Sequence, residues 1–164
     1  MQILAIDPGE TSAFLTAVVA TSQVPGMAVV NHGAWQGIGQ LKVVADHSLF
    51  YADQLVVEDY RVYSHKAKQH IGSQVYTARE IGRIEWLAYH AGTPITYQMA
   101  SQAKQAWPNS RMKMYPMVRE FVTKLKGHPQ RKHILDAYRH LLTFIERSEK
   151  LGLGLSVLET ENER

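Results

Sequence analysis

The chain contains no cysteine, which excludes a disulfide framework, a thiolate zinc site and a thiol nucleophile together. It also lacks an uninterrupted apolar run of the roughly 18 residues that a membrane helix needs. Its N-terminus lacks the basic start and long apolar stretch of a secretion signal. No linker-like or low-complexity stretch divides the 164 residues. One domain with a real core is therefore expected over residues 1–148, with 149–164 as a tail whose Gly-Leu repeats and acidic end suggest a mobile terminus. Charge of one sign is not in large excess: the formal net charge is +3, and eight histidines can add to it in mild acid. With a pI near 9.1, the chain admits a nucleic-acid partner without requiring one.

What is present starts at the first residues, MQILAIDPGETSAFLTAVVA. Gln2 to Ile6 reads as a buried strand ending on Asp7, Pro8-Gly9 as a tight turn, and Ala13 to Val19 as a second strand pairing back antiparallel. A carboxylate at the exit of a buried strand loses hydration worth several kcal/mol unless a cation or hydrogen bonds compensate. Two explanations are open: Asp7 caps the turn with its own side chain, or a bound cation meets it. Met27 to Trp35 reads as a third strand and completes a meander. Leu41 to Tyr51 has the spacing of a short amphipathic helix. Gln54 to Glu58 is a second short buried strand that also ends on an acid. A right-handed crossover would lay it parallel to the first strand and set Asp7 beside Glu58.

The following loop, DYRVYSHKAKQHI, interleaves Tyr60, Arg61 and Tyr63 with His65, Lys66, Lys68 and His70. It reads either as a solvated basic loop or as one that stacks on bases and pairs with phosphates. Gly72 to Ala91 is a helix by the recurrence of Val75, Ala78, Ile81, Ile84, Leu87 and Ala88, stopped by Gly92-Thr93-Pro94, with Trp86 and Tyr89 as packing groups. Ile95 to Gln98 is a fifth strand, and Met99 to Trp107 a helix ended by Pro108. Met112 to Lys126 is helical with an interruption at Pro116, and it carries Lys113, Arg119, Lys124 and Lys126. The last helix, Arg131 to about Ser148, sets His133, Asp136 and His140 near one face beside an apolar stripe. His32, His47, His90 and His128 show no ligand spacing.

The order IDPGETSA, VVEDYRVYSHKA, HILDAYRH resembles the RuvC-like Holliday-junction resolvases, above all the small phage-type members, within the ribonuclease H and retroviral integrase superfamily. The resemblance runs from Gln2 to about Ile145. It implies an α/β ribonuclease H-like fold, in which a three-stranded antiparallel meander and two parallel strands form one mixed sheet flanked by helices. It implies that Asp7, Glu58 and Asp136 bind divalent metal, with His133 where the family has His or Asp. Two Mg²⁺ ions roughly 4 Å apart, with Mn²⁺ as a substitute, would activate water and stabilise the leaving oxygen. Asp7 would bridge, Glu58 and Asp136 would be outer ligands, and His133 would serve the metal, handle a proton or contact the scissile phosphate. Lys113 and Lys104 fall where the family has basic residues near DNA. Tyr60, Arg61 and Tyr63, with Lys66 beyond them, occupy the loop whose aromatic residue enters the junction. The stretch WPNSRMKMYP departs from the Gly-rich form of the bacterial enzymes.

The expectation is therefore a homodimeric, metal-dependent endonuclease that resolves four-way junctions by paired symmetric nicks. It would act in the cytoplasm of a bacterium, or of a phage's host, away from membranes. Three alternatives stand beside it: another ribonuclease H-like nuclease acting on hybrid RNA or general branched DNA, an actin-like ATP-binding domain, and a non-catalytic junction binder.

Overall fold

The computed structural model describes residues 1–19, 27–36, 51–60 and 76–150. Five strands form one sheet: β1 (Gln2–Asp7), β2 (Thr11–Val19), β3 (Met27–Gln36), β4 (Gln54–Asp59) and β5 (Ile95–Met99). Their order is β3-β2-β1-β4-β5. The first three are the expected antiparallel meander, while β4 runs parallel to β1 and β5 parallel to β4. The β1–β2 turn is closed by Ser12, whose Oγ accepts from the Gly9 amide and donates to the Gly9 carbonyl, each at 3.1 Å. The turn is thus capped without Asp7, whose side chain is left for other partners.

Strand alternation sorts the core into two layers. Ile3, Ala5, Leu15 and Val56 point to one face, where α5 (Arg131–Lys150) packs with Ile134, Ala137, Tyr138, Leu141 and Ile145. Leu4, Ile6, Leu55 and Val57 point to the other, covered by α1 (Tyr76–Ala91) through Ile84 and Ala88. Helices therefore flank both faces, as expected. The short helices α2 (Ala100–Ala106), α3 (Asn109–Met112) and α4 (Pro116–Lys124) link β5 to α5. They bring Trp107, Met112, Val118 and Phe121 to the α5 layer.

Two expectations need correction. Trp86 and Tyr89 are not packing groups, being 62% and 82% exposed. The inward stripe of α1 instead runs Glu80, Ile84, Ala88, so Ala78 is exposed while a carboxylate, ion-paired to Arg83, takes an inner position. The break expected at Pro116 is present: residues 113–115 separate α3 from α4, and Pro116 starts α4 in its first turn, where its missing N–H costs nothing. The segment from Leu41 to Phe50, residues 61–75 with Arg61, Tyr63 and Lys66, and the tail beyond Lys150 lie outside the described residues.

Candidate active site

The period of two that buries Ile3 and Ala5 against α5 also turns Asp7 to that face, and Val56 does the same for Glu58. The parallel ladder pairs Ile6 with Val57, so Asp7 and Glu58 follow as the next step, side by side. Gln98 extends the row, paired with Glu58 in the β4–β5 ladder and buried. Above these three strand ends lies α5, which presents His133, Asp136 and His140 from successive turns of one face.

Contacts join the helix to the strands. His133 Nδ1 lies 3.1 Å from Asp7 Oδ2, and His140 Nε2 lies 3.1 Å from Glu58 Oε2. The ring of His140 is only 1% exposed. With the Gln98 amide nitrogen facing His140 Nδ1 (3.3 Å) and the His140 carbonyl (3.1 Å), its oxygen accepts from the Phe144 amide. Nδ1 of His140 then accepts, and Nε2 carries the proton donated to Glu58. Asp136 is buried and meets two cations: Arg139 Nη1 at 2.5 Å and Lys104 Nζ at 3.3 Å. Arg139 also donates from Nη2 to Asn109 Oδ1 (2.6 Å) and from Nε to the Trp107 carbonyl (3.1 Å). These bonds tie the α2–α3 corner to the site.

The electrostatics divide the acids. The Asp7 carboxyl is pushed up to about 8, first by burial, then by the charge of Glu58 and the hydrogen bond shared with it, and by the charge of Asp136, against the opposing pull of Lys104. Burial alone would raise Glu58 as well, but the hydrogen bond and charge from His140 outweigh it and hold Glu58 below the ordinary value. At neutral pH the pair therefore keeps one proton between its two carboxyls.

The structure thus brings Asp7, Glu58, Asp136 and His133 together, and Lys104 joins them through Asp136. Lys113 stands apart, in an adjoining groove with Arg131 and Arg139. Tyr60 directly follows β4. Among the described residues, no group of three His, Asp or Glu side chains is already disposed around one point as ligands of an ion. Each carboxylate is instead held by a basic side chain of this chain. The donor set still suits a hard divalent cation, being carboxylate oxygen with imidazole and no sulfur. Asp7 is raised by its burial first and by its acidic neighbours second.

Sequence reasoning noted His140 on the helix face but left it out of the site, and it missed Gln98, Arg139 and Asn109. The interval of seven between His133 and His140 was the available signal for the first. For Gln98 it was a polar residue at the buried end of a strand parallel to two acid-bearing ones.

No family model and no curated protein matches the chain. Solved structures do. Thermus thermophilus RuvC superposes with a TM-score of 0.63 at 17% identity, covering 97% of this chain and 100% of that one. The T. thermophilus RuvC complex with Holliday junction substrate gives 0.60 at 19% identity, with the same coverage. The fowlpox virus Holliday junction resolvase gives 0.60 at 13% identity, over 90% and 99% of the two chains. With its five-stranded mixed sheet and flanking helices matched from end to end, this chain has the RuvC-like, ribonuclease H-like resolvase fold.

Proposed function

We propose that the protein is a divalent-metal-dependent endonuclease that resolves four-way DNA junctions by paired symmetric nicks. The observation that carries this reading is the convergence of Asp7, Glu58 and Asp136, from two parallel strand ends and the last helix, on a fold shared with Holliday junction resolvases. Asp7, Glu58, Asp136 and His133 would hold two Mg²⁺ ions, or Mn²⁺ in their place, which supply a Lewis acid for the phosphate oxygens and a water of lowered pKa. The chain's own groups do the rest. His133, at Asp7, holds or moves a proton at Nδ1. Lys104 and Arg139, which neutralise Asp136 here, are the cations of this chain placed to meet an incoming phosphate. His140 and Gln98 fix the Glu58 carboxylate from the buried side.

Two nicks on opposed strands call for two sites, and a twofold homodimer provides them with one interface. Tyr60, Arg61, Tyr63 and Lys66, in the loop after the second acid, would meet the junction centre, and Lys113 the flanking backbone. A single sheet matched along its whole length by single-unit resolvases favours a nuclease over an actin-like ATP-binding domain, which needs two such units.

The test is cleavage of an end-labelled synthetic four-way junction and a matched duplex, by wild type and Asp7→Asn, with Mg²⁺ or EDTA. Symmetric paired nicks, lost with EDTA and with the substitution, are expected. Binding without cutting in both Mg²⁺ and Mn²⁺ would favour a non-catalytic junction binder, a reading that draws on the ion pairs of Asp136. Preference for hybrid or flap would keep the chemistry and replace the substrate.

A further inference from the structure

Two cavities open beside Asp136 and share the side chains of Asn109, Lys132 and Arg139. The inner one, about 380 Å³, includes Lys104 and Asp136. The outer one, about 360 Å³, runs between α3, α4 and the first turn of α5, where it gains Lys113 and Arg131. They form a single trough leading away from the acid cluster.

The outer trough carries charge of one sign only. Elsewhere, Arg83 pairs with Glu80, Arg111 with Glu146 and Lys124 with Glu120. The outer trough is lined by no acidic side chain. Among the described residues, Lys113, Arg131 and Lys132 have no carboxylate partner, and all three are exposed. Like charges held together without anions repel one another, an arrangement that makes sense when a polyanion occupies the space. The floor is apolar, from Met112, Val122 and Leu135, and suits a sugar rather than a base edge. Its amide, Asn109, already accepts from Arg139. Charge over an apolar floor suits the sugar–phosphate backbone, whose contacts position a nucleic acid without reading its sequence.

We propose that this trough is a backbone track: Lys113, Arg131 and Lys132 hold consecutive phosphates of the cut strand as it leaves the site past Lys104 and Arg139. The inference rests on the nuclease reading above and adds the path of the strand to it. Arg131 and Lys132, which no sequence motif singled out, become substrate contacts.

The experiment is the salt dependence of four-way-junction binding in EDTA for wild type, the triple variant Lys113→Gln/Arg131→Gln/Lys132→Gln, and Lys124→Gln as a single-charge control outside the trough. Each lost phosphate contact lowers the slope of log K against log[salt] by about one. The triple variant is expected to lose about three from the slope, to an equal extent on junctions of different sequence, with its melting temperature unchanged and the control keeping the wild-type slope. Neutral methylphosphonates on one side of the cut position should weaken wild type and leave the triple variant unaffected. Wild-type and triple-variant slopes that coincide, on a protein that binds and cuts junctions, would overturn the track and leave the nuclease reading standing. Failure of wild type to bind junctions at all would remove both.

Discussion

Replacing Asp7 with Asn should stabilise the ion-free protein and flatten its response to pH. In the folded chain the Asp7 carboxyl is raised from 3.8 to about 8, so the folded state keeps a proton that the unfolded chain releases. The sign follows directly. Stability from this group is intact below the unfolded value near 4 and drains away as pH rises towards 8. At about 1.4 kcal/mol per unit, Asp7 alone would account for about 4 kcal/mol by pH 7. Glu58, held low by His140, works in the opposite direction and offsets part of this. For a domain of this size each kcal/mol that remains corresponds to a melting shift of about 2–4 °C. Thermal melts of wild type and Asp7→Asn in EDTA at pH 5, 6.5 and 8 measure it, because other titrating groups are common to both proteins. The two curves should separate as pH rises, with the variant above. Parallel curves across that range would refute the claim that Asp7 is a buried acid lacking its cation.

Saturating Mg²⁺ should raise the melting temperature of wild type and close much of its gap to Asp7→Asn; an unchanged wild-type midpoint in a titration would disprove a carboxylate metal site. Glu58→Gln and Asp136→Asn should each cut junction cleavage by about a thousandfold or more while binding stays within about tenfold, as read by single-turnover cleavage beside gel-shift affinity. His140→Ala strips Glu58 and Gln98 of their buried partner, so denaturant unfolding should show a loss of about 1–3 kcal/mol, with cleavage reduced as well. On α1, Trp86→Ala and Tyr89→Ala should change the stability of the monomer by less than about 0.5 kcal/mol, whereas Ile84→Ala should cost about 2–5 kcal/mol; equal losses would mean the aromatics are packed after all.

The sheet was legible because its strands declare themselves twice, by apolar runs and by turn residues at their ends. β1 and β4 also end on acids, which located two-thirds of the carboxylate cluster before any coordinates. Asp136 was legible only in company, since a helical acid alone does not reveal whether it faces water or the sheet. The outward placement of Trp86 and Tyr89 was not legible. Helical spacing marks which residues share a face, but Glu80 displaced the expected stripe by forming an ion pair with Arg83, and periodicity does not register such pairs. Arg139 and Gln98 escaped for a related reason: their roles depend on Asn109 and on His140, partners 30 and 42 residues away in sequence. The stretch after Asp59, richest in candidate DNA contacts, has no periodic apolar pattern in its sequence.

The dependence of the site on α5 also orders events in time. Asp7 and Glu58 emerge early from the ribosome, but Asp136, His133 and His140 all belong to the last described helix, which also closes the core over Ile3, Ala5 and Leu15. A nascent chain that has not reached Arg131 has two strand-end acids, no third carboxylate and an uncovered sheet face. Under the function proposed above, the acid cluster would therefore be incomplete until this helix has been made.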